Sequence, residues 1–234
     1  MLRNRNVTPR TVLCVNAHIY NQACANEALN EHLEEARVVA ADGMSIVLAA
    51  RLLLGEAVHE RCNMTEAFRA FLQAEDMPPT KTVVLGVGLD EVQRASRTIE
   101  SLSSHCHVVK SACGYISDDD YVSMLHNHHD ADLILVGMGT PKTERVCSLA
   151  QKACPQAVVW GIGGGTLKIL AGTMKEAPML MRRFGMQWLH RLCLNPVNMW
   201  KRYLIGNLLF LIHVAIVAWR RAAIVLPWHP RQHV

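Results

Sequence analysis

The sequence predicts an α/β protein: a Rossmann-like, mainly parallel sheet with helices on both faces, followed by a basic, apolar C-terminal helical appendage. Three observations carry that expectation. Short continuous apolar runs alternate with helical patterns, as in parallel sheets buried on both faces. Two of those runs break off in glycine, LILVGMGTPKTE from Leu133 and VVWGIGGGTLKILAGTMKEAP from Val158, as strands do when they turn into loops close to a ligand. Beyond Pro178 the alternation stops, and a basic helical stretch leads into a long run without charge.

Taken in order, the first strand is expected at 12–16, an apolar run closed by Asn16, a turn former. A helical pattern covers 22–35, and the next strand, 37–41, ends at Asp42-Gly43, where glycine allows a tight turn into a helix over 44–54. A helix over 65–73 precedes the strand 81–86, which stops in Gly86-Val87-Gly88. Then come a helix over 90–103, a strand over 107–110 and a helix over 118–126 that opens on three aspartates, suited to a helix N-terminus. The strand 132–136 runs into Gly137, a helix covers 142–152, and the last strand, 157–161, enters the Gly161 to Gly165 loop. The pattern divides the chain into an α/β domain, 1–177, and an appendage, 178–234. Ligands of such sheets bind at the carboxyl ends of the strands.

Half of the 234 residues are apolar and the formal charge is +4, too little for a nucleic-acid footprint spread over the surface. The charge is uneven: seven Arg or Lys and no acid lie between Met181 and Arg221, which suits anionic lipid or diphosphate. Eight cysteines without a C-x-x-C pair point to a reducing compartment. The basic N-terminus has no apolar core ahead of the first strand, so no signal peptide is expected and the chain is placed on the cytoplasmic side.

Val15-Asn16-Ala17, Ala41-Asp42-Gly43, AARLLLG at 49–55, Glu60-Arg61, LGVG at 85–88, Gly114-Tyr115, VGMGTPKTE at 136–144, GIGGG at 161–165, LAGTMKEAP at 170–178 and the closing WLHRL to RYLIGNLLFL stretch follow one another. In that order they resemble the WecG/TagA/CpsF family, glycosyltransferase family 26, over about 12–211. The resemblance implies an inverting enzyme that moves a sugar from a UDP-sugar to a polyprenyl-diphosphate-linked acceptor in cell-surface polysaccharide synthesis. It also implies a peripheral enzyme at the cytoplasmic face of the plasma (inner) membrane, with no obligatory metal and no cofactor beyond its donor substrate. A homo-oligomer stays open.

Asp42 is the candidate catalytic residue. An inverting transfer needs a base to take the acceptor's proton, and a strand-end carboxylate is the usual choice. Local sequence alone favours a helix cap there; the resemblance favours the base. Asn16 and Arg61 match family positions for substrate binding, and Gly43 belongs to the same turn as Asp42. Gly86, Gly137 and Gly139, with Pro141, Lys142 and Glu144, make strand-end loops whose free backbone donors and helix N-terminal cation suit a nucleotide or its diphosphate. Gly161, Gly163 and Gly164 belong to a five-residue run with four glycines, costly to order unless space is needed. Arg191 and Arg202 are expected to offset the negative charge of a leaving UDP.

Other clusters are declined. His126 to Asp130 reads as an exposed loop rather than a metal site, and the methionines between Met174 and Met186 as soft packing. Family positions usually held by Thr, Gln, Arg and Glu carry Cys14, Thr143, Glu176 and Gln187 here. Two other classes fit parts of the pattern. One is a non-catalytic, membrane-associated nucleotide-sugar-binding subunit of a polysaccharide assembly complex; the other is a dehydrogenase-like enzyme, disfavoured by the missing dinucleotide signature.

The tail from Tyr203 to Trp219 is seventeen residues without formal charge, flanked by Lys201-Arg202 and Arg220-Arg221. As a helix it would reach about 26 Å, slightly short of a bilayer core. Arg202, Gly206, His213 and Arg220 fall on one weakly polar stripe. The expectation is a helix lying in the membrane surface, with a buried core helix as the first alternative and a membrane span behind it.

Overall fold

The computed structural model describes residues 10–54 and 61–225; the basic segment ahead of Arg10, the motif residues Gly55 and Glu60 and the chain beyond Val225 lie outside the described residues. Strands β1 (Thr11–Val15), β2 (Val38–Ala41), β3 (Thr80–Gly86), β4 (Cys106–Cys113), β5 (Leu133–Gly137) and β6 (Val158–Gly161) form one sheet in the order β2-β1-β6-β5-β3-β4. Every pairing is parallel. The fold is the expected Rossmann-like α/β architecture, and all strand carboxyl ends share one edge.

The strand sequences dictate two cores. Alternate residues point to opposite faces, so a strand covered on both sides must be apolar throughout. On one face Leu13, Val83, Leu85, Ile134, Val136 and Val159 pack against α6 (Asp118–His126) and α7 (Lys142–Ala153) through Tyr121, Leu125, Val146 and Cys147. On the other, Val84, Leu133 and Leu135 meet Phe68 and Leu72 of α4 (Met64–Leu72), Ile99 of α5 (Leu89–Leu102) and Leu167 of α8 (Gly164–Leu170). Each fully buried Leu, Ile or Val contributes roughly 1.5–3 kcal/mol, which holds the sheet edge rigid behind the site.

Three expected elements differ. The helix expected over 22–35 is two, α1 (Ala17–Ala25) and α2 (Glu27–Glu35), because Asn26 is extended and its side chain accepts from the Leu29 amide. Strand β4 runs well past 107–110. The second half of the GIGGG run is not loop: Gly163, at φ +76°, turns the chain so that Gly164 opens α8. Helix α3 (Met44–Leu54) follows Gly43, whose φ of +108° calls for glycine.

After α8 come only helices: α9 (Met179–Arg183), α10 (Gln187–Leu194), α11 (Pro196–Trp200), one π-helical turn (Lys201–Ile205) and α12 (Gly206–Val225). Phe210 and Val214 of α12 are buried against Ala17 of α1 and Ile46 of α3. The Tyr20 and Phe210 rings meet edge to face at 5.4 Å. Asn21 Nδ2 donates to the Gly206 carbonyl at 2.7 Å, and Asn21 Oδ1 lies 3.2 Å from His213 Nδ1. Arg202, Gly206 and His213 therefore turn toward the α/β domain, where Asn21 meets Gly206 and His213, and Arg220 leaves their stripe for the surface. The helix is neither a core helix nor free: one face is docked, and Leu208, Leu211, Ile212 and Trp219 are exposed on the other.

Candidate active site

A cleft of about 400 Å³ opens where β1, β2, β5 and β6 end, with α10 and the π-helical turn on its far side. Strand pairing places its central carboxylate. The Asp42 amide donates to the Val15 carbonyl at 2.8 Å, extending the β1–β2 ladder by one step and fixing Asp42 at the rim. Among the described residues no amide of α3 donates to its carboxylate, so the cap reading does not account for it. Burial pushes the Asp42 pKa above the ordinary carboxylate range; Arg191, Arg61 and Arg202 pull the other way, and Glu66 adds to the rise. The result is a poorly solvated carboxylate among three guanidinium groups.

The three guanidinium groups are held differently. Arg61 Nη2 donates to the Arg182 carbonyl at 2.5 Å and stands 3.7 Å from Glu66. Arg191 lies over Gly165, where a Cβ would come within 3.3 Å of its Nη2, so glycine makes room for it. Arg202 reaches back into the cleft from the π-helical turn, and its Nε has no partner among the described residues. Burial lowers the Arg202 pKa from its usual value.

Asn16 both caps and lines. Its Oδ1 accepts from the amides of His18 and Ile19, at 3.1 and 3.0 Å, and the residue faces the cleft. Glu144 is only 3 % exposed; Oε1 accepts from the Thr140 hydroxyl at 2.9 Å, while Oε2 has no partner. Burial pushes its pKa up as well. Thr143, at the departure from Gln, accepts from the Met138 amide at 3.2 Å and lies against Gly161.

The cleft brings together Asn16, Asp42, Gly43, Arg61, Gly139, Glu144, Gly161, Gly163, Gly164, Arg191 and Arg202 of the sequence candidates. Gly86, Gly137, Pro141 and Lys142 are not on its wall. A Cβ at Gly86 would sit 2.0 Å from the Gly137 carbonyl oxygen, and one at Gly137 would sit 2.4 Å from Leu167 Cδ1, so these two glycines serve close packing between strands and α8. Lys142 Nζ lies 5.9 Å over the Tyr121 ring, a cation–π contact. Gly139 and Gly163, by contrast, face open space.

Several lining residues escaped the sequence reading: His18, Thr65, Thr166, Trp188 and Tyr203. His18 directly follows the Val15-Asn16-Ala17 block, and that adjacency was its only signal. Burial, then Arg202, pushes its pKa down to about 4, leaving a neutral imidazole. Cys14 also lines the cleft, its thiol held neutral by burial and by Asp42.

The far wall is latched to the α/β domain. Glu176 accepts from Arg69 at 3.0 and 3.3 Å and from Arg182 at 2.9 Å, and Asn63 Nδ2 donates to Gln187 Oε1 at 2.7 Å. Two of the departures, Glu176 and Gln187, thus join the chain's two halves. Chemically, the cleft offers a carboxylate able to take a proton, cations able to receive an anion and glycine-lined space for a flat or phosphorylated group.

Comparison with known proteins adds the chemistry. The model of the Glycosyl transferase WecG/TagA/CpsF family matches residues 1–224. Relatives named N-acetylglucosaminyldiphosphoundecaprenol N-acetyl-β-D-mannosaminyltransferase include one from Bacillus spizizenii, 24 % identical over 193 residues, covering 82 % of this chain and 74 % of the relative. One from Bacillus subtilis is 25 % identical over 190 residues, covering 81 % and 73 %. One from Staphylococcus aureus is 27 % identical over 206 residues, covering 88 % and 78 %.

Proposed function

The chain belongs to the WecG/TagA/CpsF glycosyltransferase family, and from that membership we propose that it transfers a sugar from a UDP-sugar to a polyprenyl-diphosphate-linked acceptor, inverting the anomeric carbon, in the synthesis of a cell-surface polysaccharide. The observation that carries this reading is Asp42, a desolvated carboxylate facing three arginines across one cleft. The relatives' names point to a lipid-diphosphate acceptor.

Asp42 takes the proton of the acceptor hydroxyl as that oxygen attacks the anomeric carbon. The bond from that carbon to the UDP oxygen breaks, and Arg191, Arg202 and Arg61 receive the diphosphate's charge. With three guanidinium groups in this role, the reaction is read as needing no obligatory metal. Gly139 and the Gly161 to Gly164 segment leave space for the nucleotide, and Glu144 Oε2 offers an acceptor to the donor sugar. We read 1–177 as the catalytic domain and 178–234 as the part that seats it peripherally on the cytoplasmic face of the membrane.

A panel of radiolabelled UDP-sugars against prenyl-diphosphate acceptors tests the reading. Label is expected in the lipid product with one donor. UDP-sugar binding without turnover on any acceptor would replace it with a non-catalytic subunit.

A further inference from the structure

Helix α3 carries an apolar stripe that neither core uses. Ile46, Ala49 and Leu53 pack with Phe210 and Val214 of α12. On another side Met44, Leu48 and Leu52 recur every fourth residue, the spacing of one helix face, and are 40, 57 and 71 % exposed. A line of large apolar side chains in water is what a soluble surface avoids and an interaction surface displays.

Three observations say what covers it. First, α12 lies alongside α3 through their shared cluster, and its undocked face is also apolar, so the two helices present neighbouring apolar surfaces. Second, the charge is one-sided. Arg51 is the only charged residue of α3, and the exposed Arg183, Lys201 and Arg220 lie in the acid-free run from Met181 to Arg221. Exposed cations in the same acid-free stretch as an apolar helix face complement an anionic bilayer, whereas a second copy would bring like charges together. Third, the stripe starts at the site: Met44 lines the cleft, one residue beyond Gly43 and two beyond Asp42.

We propose that α3 is a second membrane-seating element, which lays the α/β domain itself on anionic lipid with the cleft mouth at Met44 opening onto the bilayer surface. The proposal rests on the reading of α12 as a surface-lying helix and extends the contact to the catalytic domain. Leu48 and Leu52 then dip among the acyl chains within about 12 Å of Met44 along the helix. A lipid-linked acceptor reaches Asp42 without leaving the membrane plane.

The test uses the full chain, with Leu48→Gln/Leu52→Gln compared with Leu208→Gln/Leu211→Gln in α12. All four side chains are exposed, so folding should persist, checked by Tm and UDP titration. Sedimentation with phosphatidylglycerol vesicles should show the α3 variant about a hundredfold or more weaker than wild type, the scale of removing two inserted leucines. Its KM for a long-chain prenyl acceptor should rise while kcat/KM for a water-soluble acceptor stays unchanged. Loss of binding in the α12 variant alone would overturn the α3 proposal and leave the α12 reading standing. Undiminished binding by both variants would overturn both. Light scattering that shows a wild-type dimer and a monomeric α3 variant would make the stripe an interface between copies and overturn the proposal.

Discussion

Asp42 is held above the usual carboxylate range by burial, and the three arginines limit the rise. A general base works only when ionised, so kcat should fall as pH drops through the raised pKa, above the roughly 3.9 of a free aspartate. Arg191→Gln removes a cation that lowers this pKa, so the acid limb of the pH–rate profile should move to higher pH. Asp42→Asn should cut kcat about a hundredfold or more and erase that limb, with UDP affinity nearly unchanged by titration calorimetry; wild-type turnover would remove Asp42 from the mechanism. Glu144→Gln keeps an oxygen for Thr140 but replaces the unpartnered Oε2 acceptor with a donor. Steady-state kinetics should show donor KM raised about tenfold, with a smaller change in kcat, the scale of one hydrogen bond to a charged group. Asp42 and Glu144 were legible because each stands in a block of several matched residues. His18 was not, since a lone histidine beginning a helix carries no pattern. Gly86 and Gly137 misled for a physical reason: glycine at a strand end signals close approach, and here the approaching group is protein.

Elements were more legible than their ends. Apolar runs gave all six strands; burial on both faces leaves the central β3 and β5 no other composition, while the edge strands β2 and β4 are partly exposed and read through their valines. The break at Asn26 was hidden, since asparagine is tolerated inside a helical pattern until its side chain caps the next helix. Gly86→Ala tests the packing role assigned above. A Cβ there meets the Gly137 carbonyl oxygen at 2.0 Å, and φ at +149° adds strain. Urea denaturation should show a loss of about 3 kcal/mol or more, the top of the range for overpacking. Helix α12 gave its apolar length to the sequence but not its orientation, which depends on Asn21, far away in the chain. Ending the chain after Lys201 should weaken its pelleting with anionic liposomes to what the α3 contact alone supports, and reduce turnover on long-chain acceptors more than UDP binding. Pelleting equal to the full chain would refute the anchor.

At the scale of the whole molecule, the cleft belongs to neither half alone. Asp42, Asn16 and Glu144 come from the sheet edge, Arg191 and Arg202 from beyond Pro178, and the Glu176 latch holds the two together. Glu176→Ala leaves Arg69 and Arg182 without their shared carboxylate. The group is partly exposed, so the expected loss is only about 1 kcal/mol of stability. Protease cleavage between 171 and 186 should nevertheless quicken and kcat/KM fall several-fold, as the arginine wall loosens. The π-helical turn at Lys201–Ile205 has a consequence of phase. A π turn holds one residue more than an α turn, so it sets the angle between the Arg202 direction and the docked face of α12. Winding the same residues as α-helix, with none deleted, would rotate everything downstream by one residue's angle, roughly 100°. With Arg202 still aimed at Asp42, Phe210 would swing off its seat; with Phe210 seated, Arg202 would point away. Five residues thus act as a gear between chemistry at the anomeric carbon and the side of the molecule that meets lipid.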